Sequence, residues 1–271
     1  MIIDSHVHIG NMLGFNMPEE MVLKSMEKYN IDFSLVSNID SAEFDDNLKP
    51  IDMDKQISQI KSLNRVIKFA KDNPNKIGVV VWVKVANEKV DKELIETINN
   101  NREYIYGIKV HPYHSKTAFD HKKMEPFVEL AEKLDVPIIT HTGGCEEADV
   151  IHVYNMAKKY PKVNFIMAHM GLGTDNSEAI KLLGKLPNLY GDTTWVPMEH
   201  TIDAINKWGS EKILFGSDNP IDGLDTYHNN PKGEESVYVK YFNEFEKRIG
   251  TENYENVMYK NAIRLFKLNI K

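Results

Sequence analysis

The chain alternates two kinds of apolar pattern along its length, and this alternation constrains its fold more than any other feature. The clearest case is residues 76–86, KIGVVVWVKVA, a nearly continuous β-branched run. Such a run suits a parallel strand covered on both faces. Apolar residues at helical spacing follow over 88–101. The succession recurs, with further strand candidates at 2–8, 31–37, 104–111, 136–141, 163–169, 189–194 and 213–217. Helical patterns lie between them, at 18–29, 54–72 and 122–134 among others, and two more follow at 234–248 and 254–268. Pro18 opens the first helical pattern and Pro74 stops the second.

Strands alternating with helices argue for a parallel sheet. Eight such units in about 250 residues is the size of a (β/α)8 barrel. A doubly wound open sheet is the alternative, but no glycine-rich dinucleotide turn follows the first strand. No stretch rich in Pro, Gly or Ser marks an internal linker. The expectation is an α/β chain with one domain over 1–271, a single (β/α)8 TIM-type barrel with an extra C-terminal helix.

Composition narrows the function classes. Hydrophobic residues at 42% and charged residues at 27% are those of an ordinary globular protein. There are 33 basic and 40 acidic residues, a net charge of −7 with no basic run, which argues against a nucleic-acid or anionic-membrane partner. The longest apolar run, 78–83, is far too short to span a bilayer. Asp4 inside the first strand does not fit a secretory signal, and the single cysteine, Cys145, precludes an internal disulfide. A cytoplasmic protein acting on a small molecule is expected, with homo-oligomers left open. Only four residues are arginines (65, 102, 248 and 264), and all fall in or beside helical patterns. The usual bidentate clamp for an anionic substrate is therefore not in evidence.

In a barrel of this type, functional groups sit where strands end and the following loops begin. The first ten residues, MIIDSHVHIG, put His6 and His8 on one face of the first strand, where two imidazoles can grip one metal ion. Strand 4 ends with Lys109 and His111, strand 5 with His141, strand 6 with His169 and strand 8 with Asp218. These groups, far apart in sequence, converge on one rim, which points to a metal site. Tyr113 and His114 after strand 4, Trp195 after strand 7, and Asn219 with Pro220 after strand 8 are expected to wall the substrate pocket. Trp82 in strand 3 is expected in the core, and Cys145 reads as a loop residue, since nothing places a base beside it. The acidic stretch 39–54 is long enough to be functional, although its charge reads as solvation.

Several motifs now form an ordered set: DSHVHIG at 4–10, GIKVHP at 107–112, PIITHTG at 137–143, FIMAHMG at 165–171, ILFGSDNP at 213–220 and NVMYKNAIRLF at 256–266. The set resembles the amidohydrolase superfamily, in its amidohydrolase-related (amidohydrolase 2) branch. The resemblance implies a (β/α)8 barrel with a divalent metal, usually zinc, at the C-terminal rim, and one ion rather than two. It implies His6, His8, His141 and Asp218 as ligands. His169 matches a histidine that in relatives binds a second metal or acts as acid or base. Lys109 stands where two-metal relatives carry a bridging carboxylated lysine. Its other reading, preferred here, is a lysine paired with a carboxylate beneath the rim.

The chemistry implied is hydrolysis. A divalent ion with an open position lowers the pKa of water from about 16 to about 7. Asp218 would accept the proton and later deliver it to the leaving group, while His169 orients the carbonyl. Lys109, His111, Tyr113, Trp195 and Asn219 are the candidates for binding substrate. The competing activity is a non-oxidative decarboxylase resembling aminocarboxymuconate-semialdehyde decarboxylase, against which the arginine shortage counts. A TatD-like nuclease would carry glutamate where Lys109 stands, and a binding protein without turnover would not need an intact ligand set.

Overall fold

The structure, a computed structural model, describes residues 1–221 and 237–270. Eight strands pair in parallel and in chain order: β1 (Ile3–Ile9), β2 (Phe33–Asn38), β3 (Ile77–Trp82), β4 (Ile105–Val110), β5 (Ile138–Gly143), β6 (Phe165–Leu172), β7 (Leu189–Asp192) and β8 (Ile213–Leu214). The chain beyond β8 returns to β1, with the Ser5 N–H donating to Phe215 O at 3.0 Å and the Asp218 N–H to His6 O at 2.8 Å. The sheet thus closes on itself, and the fold is the (β/α)8 barrel that the alternation predicts. Its outer layer includes α1 (Glu19–Tyr29), α2 (Gln59–Asp72) and α3 (Lys92–Asn99), and, beyond the short α4 (Pro112–Ser115) at the rim after β4, α5 (Glu125–Leu134), α6 (Val150–Lys159), α7 (Ser177–Leu183) and α8 (Met198–Trp208).

Side-chain parity divides the core. Val79, Val81, Ile108, Ile138 and Met167 belong to the apolar layer packed against the helices. Their neighbours in the strands, Val80, Ile139 and Ile166, pack instead with Ile3, Leu214 and the C-terminal Leu265 and Phe266. The period of two sends alternate residues to opposite faces. Further along the second face come Trp82, Lys109 and His141, so the interior changes from aliphatic at one end to titratable at the other. The closing helical segment ends at Asn261–Phe266 and caps the aliphatic end.

Several expected boundaries shift for local reasons. The helix expected over 54–72 starts only at Gln59, because the Ser58 side chain accepts the Lys61 N–H and caps it. Lys84, buried at the end of β3, donates to Gln56 Oε1 and to Ile57 O at 2.8 Å each, fixing the preceding residues in a non-helical path. The acidic stretch is not only a solvated face. Asp40 and Glu43 are buried, Asp40 accepting from the Asn11 and Met12 N–H groups and Glu43 from those of Ala86 and Asn87. Two of its carboxylates therefore tie loops together. The helix expected over 234–248 begins within residues that lie outside those described, and its described part starts at Val237.

Candidate metal centre

The titratable end of the barrel gathers His6, His8, Lys109, His141, His169 and Asp218, all buried. His6 Nε2 lies 3.2 Å from His8 Nε2 and 3.4 Å from Asp218 Oδ1, and His8 Nε2 lies 3.0 Å from the same oxygen. One atom each from His6, His169 and Asp218 fall within 4.8 Å of one another, close enough to share an ion. The ring of His141 sits 4.6 Å from that of His169, and its Nε2 faces Gly143 O at 3.2 Å.

The second nitrogens decide how the imidazoles present themselves. His6 Nδ1 meets Asp192 Oδ2 at 2.9 Å, and His8 Nδ1 meets Ser37 Oγ at 2.9 Å. A carboxylate accepts, so His6 carries its proton on Nδ1 and leaves an Nε2 lone pair toward the cluster. Asp192 also accepts the His169 N–H at 2.9 Å, so one residue at the end of β7 sets both a ring and a backbone. Nothing in the sequence pattern singled it out. Its signal is a carboxylate closing a strand on the rim, legible only once β7 was fixed at Asp192.

Burial holds these imidazoles neutral. It depresses the pKa of His6, His8, His111 and His141, with Lys109 adding to the effect at each, and it takes His169 down to about 3. It also lowers Lys109 to about 8. Asp218, by contrast, is held in its charged form. Burial alone would raise it, but the hydrogen bond with His8 and the neighbouring His6 and His169 hold its carboxyl well below the usual range. Its second oxygen accepts Trp195 Nε1–H at 2.8 Å. Asp4, buried beneath, accepts the Ser217 and His6 N–H groups at 3.0 and 3.2 Å and the Ser217 hydroxyl, bracing the chain on both sides of the cluster.

Three residues here, His169, Trp195 and Asp218, have φ of 66°, 59° and 61°. Left-handed backbone is uncommon for side-chain-bearing residues and collects where geometry serves function. Gly216 permits the same approach from β8, since a Cβ there would lie 2.9 Å from His6 Cβ and 2.7 Å from Thr194 Oγ1.

The cluster opens into a cavity of about 560 Å³. Of the residues expected to bind substrate, His111, Tyr113 and Trp195 line it. Lys109 lies against the cluster, its Nζ 2.6 Å from His6 Nε2. The carboxylate partner expected beneath the rim is replaced by this contact, since no ion pair of Lys109 occurs among the described residues. Asn219 is buried, its Oδ1 accepting from Ser25 Oγ at 3.1 Å, and it is outside the cavity lining. Trp82 is buried, as expected of a core residue, yet it also forms cavity wall. Its ring stacks on His111 at 5.0 Å and 9°, and His111 on His141 at 4.0 Å and 14°. His114, Phe15, Ile39 and Ile221 complete much of the lining. Cys145 is partly buried and outside it. His228, by sequence a rim or surface candidate without a firm role, lies outside the described residues.

The donor set fits a divalent ion. It offers buried imidazoles, with the His6 tautomer set by Asp192, and one ionised carboxylate, and buried His169 Nδ1 has no hydrogen-bond partner. A closed parallel barrel bearing such a set at one rim is the architecture of metal-dependent barrel enzymes. The chain belongs to the amidohydrolase family, whose profile matches residues 3–268. It is similar to an uncharacterized metal-dependent hydrolase of Methanocaldococcus jannaschii, with 24% identity over 98% of this chain and 96% of that one. Among solved structures it resembles 2,6-dihydroxybenzoate decarboxylase from Rhizobium, with a TM-score of 0.69, 18% identity and 98% of each chain covered. It also resembles a dihydroxybenzoic acid decarboxylase of Polaromonas with bound manganese, with a TM-score of 0.71, 16% identity and coverage of 99% and 97%. The chain is thus an enzyme of the metal-dependent amidohydrolase superfamily. Among the described residues no helix is long and apolar enough to cross a membrane.

Proposed function

We propose that this enzyme hydrolyses an amide, ester or lactone of a small molecule, with one divalent ion, zinc, held by His6, His8, His141, His169 and Asp218. The observation that carries the reading is the fixed pair of imidazoles. His6 and His8 each engage Nδ1 and aim Nε2 at the Asp218 carboxylate, which is how ligands are readied for a Lewis acid. When bound, the ion supplies the Lewis acidity that polarises a carbonyl and acidifies water at neutral pH.

The protein groups supply the proton transfers. Asp218 is ionised and anchored through Trp195, so its Oδ1 can accept a proton from attacking water and return it to the leaving nitrogen or oxygen. His169, with a pKa near 3, stays uncharged at neutral pH. It acts as a neutral donor that orients the substrate carbonyl, and the acid role falls to protonated Asp218. Tyr113, His111 and Trp195 bind the remainder of the substrate.

A second reading, decarboxylation, has two observations in its favour. Two similar structures are named as decarboxylases of hydroxylated benzoates, and Lys109 places a cation at the cluster. Against it, the arginines are committed elsewhere: Arg65 to Glu19 and Asp40, Arg248 to Glu199, Arg102 and Arg264 to backbone carbonyls. Incubating the zinc-loaded enzyme with amides, esters, lactones and arenecarboxylic acids separates the two. Cleavage of an acyl compound is expected, falling by about 10²-fold or more in Asp218→Asn. Release of CO₂ with no acyl cleavage would overturn the hydrolase.

A further inference from the structure

The cavity's charge and its mouth say something about what enters it. The cluster occupies its floor, and the walls are aromatic and aliphatic, with Trp82, Phe15, Ile39 and Trp195 among them. Among the described residues only two lining side chains are carboxylates, Asp218 on the floor and Asp46 on the rim, and no lysine or arginine lines it.

Asp46 is not a stray loop residue. Its side chain is 64% exposed, yet the loop that bears it is tied down around it. Glu43 and Phe44 N–H groups donate to His114 O at 3.0 and 2.9 Å, and the Tyr113 hydroxyl donates to Asp46 O at 2.8 Å. Asp45 Oδ1 accepts from the Asn47 and Lys49 N–H groups at 2.9 Å each, closing the turn. His114 Nδ1 faces Phe44 O at 2.8 Å, and its Nε2 lies 3.9 Å from Asp46 Oδ1. A carboxylate on an ordered rim, above an apolar wall, selects among ligands by charge.

We propose that Asp46 is a specificity-determining residue, and that the part of the substrate away from the reacting group is an apolar ring carrying a neutral or cationic substituent, never a carboxylate. This rests on the hydrolase reading only in taking the cluster as the place of the reacting group. A ring fits a wall to which Trp82, Trp195, Tyr113 and Phe15 contribute, since aromatic side chains give large contact at little conformational cost. A distal carboxylate would meet Asp46 and the apolar wall, with no lysine or arginine among the described lining residues to receive it. A distal ammonium or amide would find an acceptor.

The test fixes the metal-binding end and varies the far end. Dissociation constants of 4-carbamoyl-, 4-(aminomethyl)- and 4-carboxybenzohydroxamate are measured by calorimetry on the zinc-loaded enzyme. The hydroxamate engages the metal in all three, so no turnover is needed and failure of the hydrolase reading shows separately in the acyl-cleavage assay. The carboxylate is expected to bind at least fivefold more weakly than the carboxamide, and the ammonium at least as tightly. In Asp46→Lys the ratio of carboxylate to ammonium affinity is expected to shift at least tenfold toward the carboxylate. A smaller difference in the wild type, a smaller shift in the variant, or failure of the carboxamide to bind would overturn the proposal.

Discussion

At the scale of single residues, the centre depends on which nitrogen of His6 carries the proton, and Asp192 decides that. Asp192→Asn keeps an oxygen for the His169 and Thr194 N–H groups, both now bonded to Oδ1. The amide NH₂ would then face His6 Nδ1, which must become the acceptor and move its proton to Nε2, off the ligand lone pair. Zinc affinity should drop by roughly 10- to 100-fold, read by competition with a chromophoric chelator. An unchanged affinity would show that Asp192 does not set the tautomer. Glu43 gives a pH signature away from the cluster. Burial raises its pKa from 4.5 to about 7, against the pull of the Ala86 and Asn87 N–H groups. Between those values the unfolded chain has lost the proton that the folded chain keeps, so stability falls as pH rises from about 4.5 to about 7 and is level above. Glu43→Gln removes this dependence. Urea unfolding of the two proteins should therefore diverge across that window, with the wild type losing on the order of 3 kcal/mol relative to the variant. Parallel curves would refute the assignment.

At the scale of elements, the ends of β5 and β6 show what a sequence can and cannot reveal. Both strands were legible as apolar runs ending in histidine, but both continue past it, to Gly143 and Leu172, which are themselves paired. Periodicity weakens at a strand end because the rim residues are chosen for the site rather than for burial. Gly143 has φ of 100°, and a Cβ there would lie 2.2 Å from Leu172 N and 2.4 Å from Leu172 O, both backbone atoms that cannot yield. Gly143→Ala should therefore disrupt the β5–β6 rim, with the melting temperature falling by roughly 10 °C or more and zinc binding lost with it. A variant with native melting would mean that the two strands can part without harm. The same logic explains which candidate site residues were legible. His6, His8, His141, His169 and Asp218 stood out because each closes an apolar run with a group that a core would not take. Asp192, Ser37 and Asp46 act through partners from other strands and loops, so their roles exist only after the barrel has closed. Trp82 was read as core from its apolar strand; parity in fact put it on the inner face, one step from the cluster.

At the scale of the whole molecule, the barrel interior divides into an aliphatic end that stabilises and a titratable end that reacts, a separation common to barrel enzymes. Phe266 and Leu265 cover the aliphatic end, packed with Ile3, Val80, Ile139 and Leu214. Phe266 is 3% exposed, and its ring lies so near β4 that a Cβ on Gly107 would be 3.2 Å from it. Truncating it opens a cavity beneath the strands. Phe266→Ala should lower stability by about 3–5 kcal/mol, and Phe266→Leu, which leaves most of the volume filled, by less than about 1.5 kcal/mol. Calorimetric melting reads both. Zinc affinity of the folded protein should nevertheless stay within about twofold of wild type in each variant, because Phe266 packs with Ile3, Val80, Ile139 and Leu214 rather than against the cluster. The strands run between the two ends, held by parallel ladders that a void at one end does not unpair. If the leucine variant, still folded, lost zinc binding, the two ends would be coupled through strand register. The first place to look would then be the register shift in β1 between Asp4 and Val7, the short segment joining the aliphatic floor to His6.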